Sequence, residues 1–232
     1  FKKIAIITGW PKYYFYKKKN INFFKKEIEE IENYLKGYYL FSSNYGALTK
    51  EGLNARIKKD PQLCRYKNSK NKQNNYHTFL NSIEDFKFLK KKLFKFLKKN
   101  PDFKLVIRPH PADENQNDWK IFEKFPNVKV INKFDIIPWI VRSKGLIHRG
   151  CSTAVDSVLL NKPTYYLKPN RKLKNSEKNL TYKISTKISD FDGIKYKKIN
   201  NLKKLNLIKK EINFSKKTTS YNILNHINKF KV

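Results

Sequence analysis

Short apolar runs rich in β-branched and aromatic residues alternate with longer amphipathic segments along these 232 residues. That alternation is the pattern of an α/β fold. Lys3–Thr8 reads as a strand running into the turn Gly9-Trp10-Pro11, Asn22–Leu35 as a charged helix and Tyr38–Ser43 as a buried strand. His77–Lys99 carries Phe79, Leu80, Ile83, Phe86, Leu89, Leu93, Phe96 and Leu97 at helical spacing. Phe103–Ile107 is predicted as a strand, Asn117–Phe125 as a helix, Asn127–Ile131 as a strand and Ile136–Arg142 as a short helix. Gly145–His148 follows as a strand, then a helix to about Leu160 that Asn161-Lys162-Pro163 stops, then the strand Thr164–Leu167. Thr49–Tyr76 reads as a polar loop with some helix and Lys168–Lys187 as polar and loop-like. From about Asn201 two short helices are expected, separated near Phe214-Ser215.

Strand, helix and strand in this order imply right-handed crossovers. The predicted fold is therefore a Rossmann-like parallel sheet with flanking helices. Ligands of such sheets sit at the carboxyl ends of the strands. Two unusual motifs fall at such ends: Arg108-Pro109-His110-Pro111, and Arg149-Gly150-Cys151-Ser152-Thr153 directly after His148. In the first, two prolines stiffen a turn that presents a guanidinium and an imidazole, a pairing suited to an anionic phosphate. The same turn also reads as a rigid loop whose histidine satisfies backbone groups. In the second, Gly150 permits close approach of a ligand to the backbone, and Ser152 and Thr153 offer hydroxyls beside a helix start. Either can equally be an ordinary cap. Asp156, one helical turn after Ser152, suits ribose hydroxyls as an acceptor or the helix dipole as a partner. Asp113 and Glu114 are adjacent and diverge, so they do not read as a catalytic carboxylate pair. No metal-ligand cluster, P-loop or GxGxxG fingerprint is present.

Composition bears on partners. Lys plus Arg is 52 against 19 Asp plus Glu, a net charge of +33. Nucleic-acid binding is one reading of that excess and attraction to an anionic membrane surface another. The lysines scatter along every element instead of forming one stripe, and they arrive with abundant Asn, Ile, Phe and Tyr. That pattern points to AT-rich codons, so a nucleic-acid partner is not expected, while a peripheral contact with the inner membrane stays compatible. Cys64 and Cys151 are too few and too far apart for a disulfide framework or a zinc site. Lys, Asn or Arg breaks every candidate membrane span, and no secretory signal is seen, so a cytoplasmic protein is expected.

The spaced combination TGWPK, SSNYG, RPHPADENQNDW and WIVRSKGLIHRGCSTAVDSVLLNKP, from Thr8 to Pro169, resembles the bacterial surface carbohydrate (surface polysaccharide) biosynthesis proteins. More distantly, the His-Pro and Ser-Thr pair resembles bacterial sialyltransferases, capsule Kdo transferases and the glycerophosphotransferases of teichoic acid synthesis. The resemblance implies a GT-B glycosyltransferase with a CMP- or CDP-activated donor; with no metal-ligand cluster in the sequence, side chains and a helix end are expected to neutralise the phosphate, with no cofactor and no required metal. It implies that His110 contacts the donor phosphate and helps the nucleotide leave, and that Ser152 and Thr153 bind that phosphate. By chemistry, Arg108, Arg149 and Gly150 join the phosphate set and Asp156 the ribose. Lys12, Asn161 and Asp156 depart from the family's usual Arg, Gly and Glu, which bears on fine specificity. Since TGWPK begins at residue 8, and the chain lacks methionine and opens with Phe1, the acceptor domain is expected to be missing. The division is then residues 1–16 as an interdomain remnant, 17–200 as the nucleotide-sugar-binding domain and 201–232 as C-terminal helices. The partners expected are a nucleotide-activated sugar and a glycan or lipid-linked acceptor. A CDP-polyol phosphotransferase and a non-enzymatic basic nucleic-acid-binding protein are the alternatives.

Overall fold

The computed structural model describes residues 11–43, 45, 54, 58, 70–110, 117–169, 178–194 and 202–212. The strand expected at Lys3–Thr8, the acidic pair Asp113 and Glu114, Cys64 and the second C-terminal helix lie outside them.

Six strands form one sheet: β1 (Tyr39–Ser42), β2 (Leu105–Arg108), β3 (Val128–Val130), β4 (Gly145–His148), β5 (Thr164–Leu167) and β6 (Thr186–Ile188). Their order is β3-β2-β1-β4-β5-β6, and every neighbouring pair is parallel. This is the order of a Rossmann sheet, an α/β fold with helices on both faces. β1, β2, β4 and β5 are buried along their whole length, as strands covered on two sides must be.

Side chains alternate between two cores. Tyr39, Phe41, Leu105, Ile107, Ile147 and Tyr165 point into one, which is filled by Leu89 and Leu93 of α2 (Lys70–Lys99) and by Trp119 and Phe122. Trp119 belongs to α3 (Asn117–Lys120) and Phe122 to the 3-10 turn Ile121–Lys124 that continues it. Leu40, Val106 and Leu146 point the other way, against Ile31 of α1 (Lys25–Tyr34) and against Trp139 and Ile140 of α4 (Ile136–Arg142). Beside them α5 (Thr153–Leu159) packs Ala154, Val155 and Val158 against Ile184 and against Ile208 of α7 (Leu202–Glu211). Ile184 follows the short α6 (Leu180–Lys183).

Local rules explain most boundaries. Asp135 caps α4 by accepting the Ile137 N–H at 2.9 Å. α5 ends where Asn161 takes φ 57°, a left-handed conformation that asparagine tolerates, just ahead of Pro163. The helix expected from Asn22 instead begins as the 3-10 turn Lys18–Phe24 and becomes α-helical only at Lys25. Asn20 and Asn22 are poor helix formers, and the tighter turn suits them. α2 starts seven residues ahead of His77, in a stretch too polar to show periodicity. β6 corrects the loop reading of Lys168–Lys187. It has three residues, two of them exposed, and as a short edge strand carrying a lysine it leaves little pattern to read.

Candidate functional site

β1 and β4 are neighbours whose outgoing chains diverge, β1 leading to the α2 face and β4 to α5 on the other. This is a topological switch point, where a crevice opens at the carboxyl ends of the two strands. Ser42 aligns with Arg108 of β2 on one side and with His148 of β4 on the other. His110 and Gly150, each two residues further on, therefore flank the exit of β1, on strands roughly 10 Å apart.

Short bonds tie the two turns to β1. The Ser43 N–H donates to the Arg108 carbonyl at 3.0 Å. The His110 N–H donates to Ser43 Oγ at 3.1 Å. Ser42 Oγ donates to Cys151 Sγ at 3.5 Å. Gly150 takes φ 91°, open to glycine and strained for any other residue, and its N–H donates to His148 Nδ1 at 3.1 Å. His148 is fully buried, and burial pushes its imidazole down to about 3, so the ring is neutral. With Nδ1 accepting, Nε2–H donates to Ser185 Oγ at 2.8 Å, and that hydroxyl donates to the Thr181 carbonyl at 2.6 Å. The strand-end histidine thus fixes the glycine turn from below. Gly150→Ala is expected to lower stability by about 1–2 kcal/mol through backbone strain alone, checked by the thermal midpoint.

The remaining sequence candidates are placed differently. Ser152 is exposed at the cap position of α5 but keeps a helical backbone and caps nothing, contrary to the reading of it as an ordinary cap. Thr153 Oγ1 is shielded from solvent and has no hydrogen-bond partner. Arg108 is buried, and its two Nη atoms donate to the carbonyls of Lys133, Phe134 and Asp135 at 2.9–3.1 Å and to Asn132 Oδ1 at 3.5 Å. It braces the loop leading into α4, in place of the phosphate contact expected of it. Burial lowers this guanidinium to about 10, so it stays charged. Arg149 makes an ion pair with Asp85 of α2 and lies over the Tyr45 ring, so it faces the helix layer and not the crevice. Asp156 is buried and already accepts from the Tyr16 hydroxyl and, at 3.4 Å, from Lys12 Nζ. Burial pushes its carboxyl up, while Lys12 and Tyr16 pull it down. A ribose would have to displace those partners.

Asp85, Tyr16 and Ser185 were not singled out in the sequence, and Ser43 and Tyr45 entered only as part of SSNYG. Ser43 was within reach, since it follows a predicted strand end just as the two motifs do. The pairing of Asp85 with Arg149 has no sequence signal. Among the described residues no group of three His, Cys, Asp or Glu side chains is placed to hold a metal ion, and no helix is long and apolar enough to cross a membrane.

The class that fold and site define is a Rossmann-order α/β domain with its topological switch point between β1 and β4. Neither a protein-family model nor a curated protein matches the chain. Among solved structures it is similar to UDP-GlcNAc 2-epimerase of Methanocaldococcus jannaschii in complex with UDP-GlcNAc and UDP, with TM-score 0.47 and 12% identity over 97% of this chain and 54% of that one. It is also similar to UDP-GlcNAc 2-epimerase from Neisseria meningitidis bound to UDP-GlcNAc, with TM-score 0.43 and 15% identity over 78% and 41%. A GtfA/B complex gives TM-score 0.33 and 10% identity over 84% and 33%. The chain spans about half the length of these epimerases. Likenesses this weak bear on neither substrate nor mechanism.

Proposed function

We propose that this chain is the donor-binding domain of a glycosyltransferase of surface polysaccharide synthesis, taking a nucleotide-activated, CMP-linked sugar for transfer to a glycan or lipid-linked acceptor. The observation that supports it is that Arg108–His110 and the Gly150–Thr153 turn leave the strands on either side of β1 and are tied to its end through Ser43 and Ser42. A crevice in that position is where Rossmann sheets take nucleotides. In this reading the His110 imidazole contacts the donor phosphate and stabilises the departing nucleotide. The hydroxyls of Ser152 and Thr153 hold the same phosphate, which gives the unpartnered Thr153 Oγ1 an acceptor. Gly150 lets the phosphate approach the backbone. Arg149 acts from behind the turn by pinning it to α2.

Titration calorimetry with CMP, CDP, UDP and ADP at moderate salt tests the reading. Selective binding of a cytidine nucleotide is expected, weakened about 10- to 100-fold in His110→Ala through loss of a charge-assisted hydrogen bond. Equal binding of every anion, unchanged by the substitution, would mean that the charge of the chain is responsible and the RPHP turn is structural.

A further inference from the structure

We infer that the segment Lys12–Lys26 is a docking face for an anionic membrane surface. Between residues 11 and 26 the sequence holds Lys12, Lys17, Lys18, Lys19, Lys25 and Lys26, six aromatic residues and no acid. The aromatics are Tyr13, Tyr14, Phe15, Tyr16, Phe23 and Phe24. The fold sorts them. Tyr16 and Phe24 are buried with Ile137 and anchor the segment to α4. Tyr16 is also bonded to Asp156 of α5. Phe23 is left 70% exposed and Tyr14 44% exposed.

Phe15 joins these two exposed rings to the buried Phe24. Phe15 packs on Phe23 and Phe24 with ring centroids 5.2 and 5.4 Å apart, Phe23 meets Phe24 edge-on at 5.1 Å, and Tyr14 meets Phe15 edge-on at 5.7 Å. An exposed aromatic surface in a segment that carries six lysines and no acid has the composition of a face that rests in the headgroup region, where rings enter the interface and cations meet lipid phosphates. Rings packed on one another in this way do not offer the separate flat platforms on which successive bases stack, so a lipid surface fits better than single-stranded nucleic acid.

Charge complementarity is local. The acids nearest in sequence lie on α1; Glu30 and Glu32 pair outside the segment, with Lys133 and Arg142, while Glu29 takes the segment's own Lys25. The inference does not depend on the nucleotide reading. The two are linked by the bonds of Lys12 and Tyr16 to Asp156 and by packing on Leu159, which set this face beside the helix α5.

The test is sedimentation of the whole chain with vesicles of phosphatidylcholine alone, or with on the order of a third of the lipid replaced by phosphatidylglycerol. Binding to the anionic vesicles is expected to fall about five-fold in Phe23→Ser, an exposed position whose change spares the core. It is expected to fall on the order of 100-fold when Lys17, Lys18 and Lys19 are all changed to Gln, since each lysine near such a surface contributes about five-fold. Changing Lys91, Lys95 and Lys98, exposed on α2, to Gln removes the same charge from another face and is expected to cost much less. Equal losses from the two triple variants would assign the binding to net charge and overturn the proposal. So would a Phe23→Ser protein that keeps its vesicle binding while losing affinity for a single-stranded RNA.

Discussion

Lowering the pH from about 7 to about 4 is expected to remove on the order of 3 kcal/mol of folding free energy through His148 alone. The ring has an ordinary value of 6.5 and is pushed down to about 3 by complete burial in the fold. A depressed folded value means that the unfolded chain binds the proton first. The contribution is therefore complete above about 6.5, shrinks steadily below it, and goes on shrinking until the folded ring itself protonates near 3. Geometry sharpens the effect, because Nδ1 accepts the Gly150 N–H and cannot do so once protonated. The glycine turn loses its support in the same step, and nucleotide affinity should fall with it. Asp156 works in the opposite direction: its raised carboxyl costs stability above the unfolded value, and protonation relieves that cost. Urea unfolding at a series of pH values, for the parent and for His148→Asn, checks the prediction. The asparagine variant should be less stable at neutral pH yet show a distinctly flatter decline toward acid, with Asp156 cancelling in the comparison. Parallel declines would show that His148 is not the group responsible.

Where the layers of this fold were legible, the reason was periodicity. Ile136–Arg142 and Gly145–His148 match the expected limits because each is bounded by hard punctuation, Asp135 and Ser143 for the helix and a turn at Gly150 beyond the strand. β6 and the first seven residues of α2 were not legible, since one is too short and the other too polar to carry a repeat. The site divides in the same way. Strand-end position set His110 and the Gly150–Thr153 turn on either side of the end of β1, because the parallel register fixes where strand ends lie. Residue type left the roles of Arg108 and Asp156 open. A guanidinium or carboxylate at a strand or helix end suits a phosphate or a ribose equally well in the sequence. Only the folded chain shows that the carbonyls of residues 133–135 and the Tyr16 hydroxyl reach them first.

Asp85→Ala is expected to destabilise the protein by about 3–5 kcal/mol, the cost of leaving a buried cation without its carboxylate. The Arg149 side chain is only 7% exposed and that of Asp85 16%, so water cannot take over the lost charge. Asp85 also accepts from the Tyr45 hydroxyl at 3.0 Å. Burial holds that phenol well above its ordinary value, so it remains a donor throughout the neutral range. One carboxylate thus joins three elements: α2, the end of β1 through Tyr45, and the turn after β4 through Arg149. Its loss strands a hydroxyl and a guanidinium together. The single change Arg149→Met should cost less, because an apolar chain of similar length keeps the packing and leaves the carboxylate a partner in Tyr45. The double variant Asp85→Leu with Arg149→Met removes both charges and should recover most of the stability lost in Asp85→Ala. Urea unfolding of the parent, Asp85→Leu, Arg149→Met and the double variant measures the coupling. Strict additivity would mean that the two side chains do not act as a pair. Recovery of stability without recovery of cytidine-nucleotide binding would separate two roles of this ion pair. In that outcome the fold would need only a filled space there, and the proposed ligand would need the turn that begins at Arg149 held at one setting against α2.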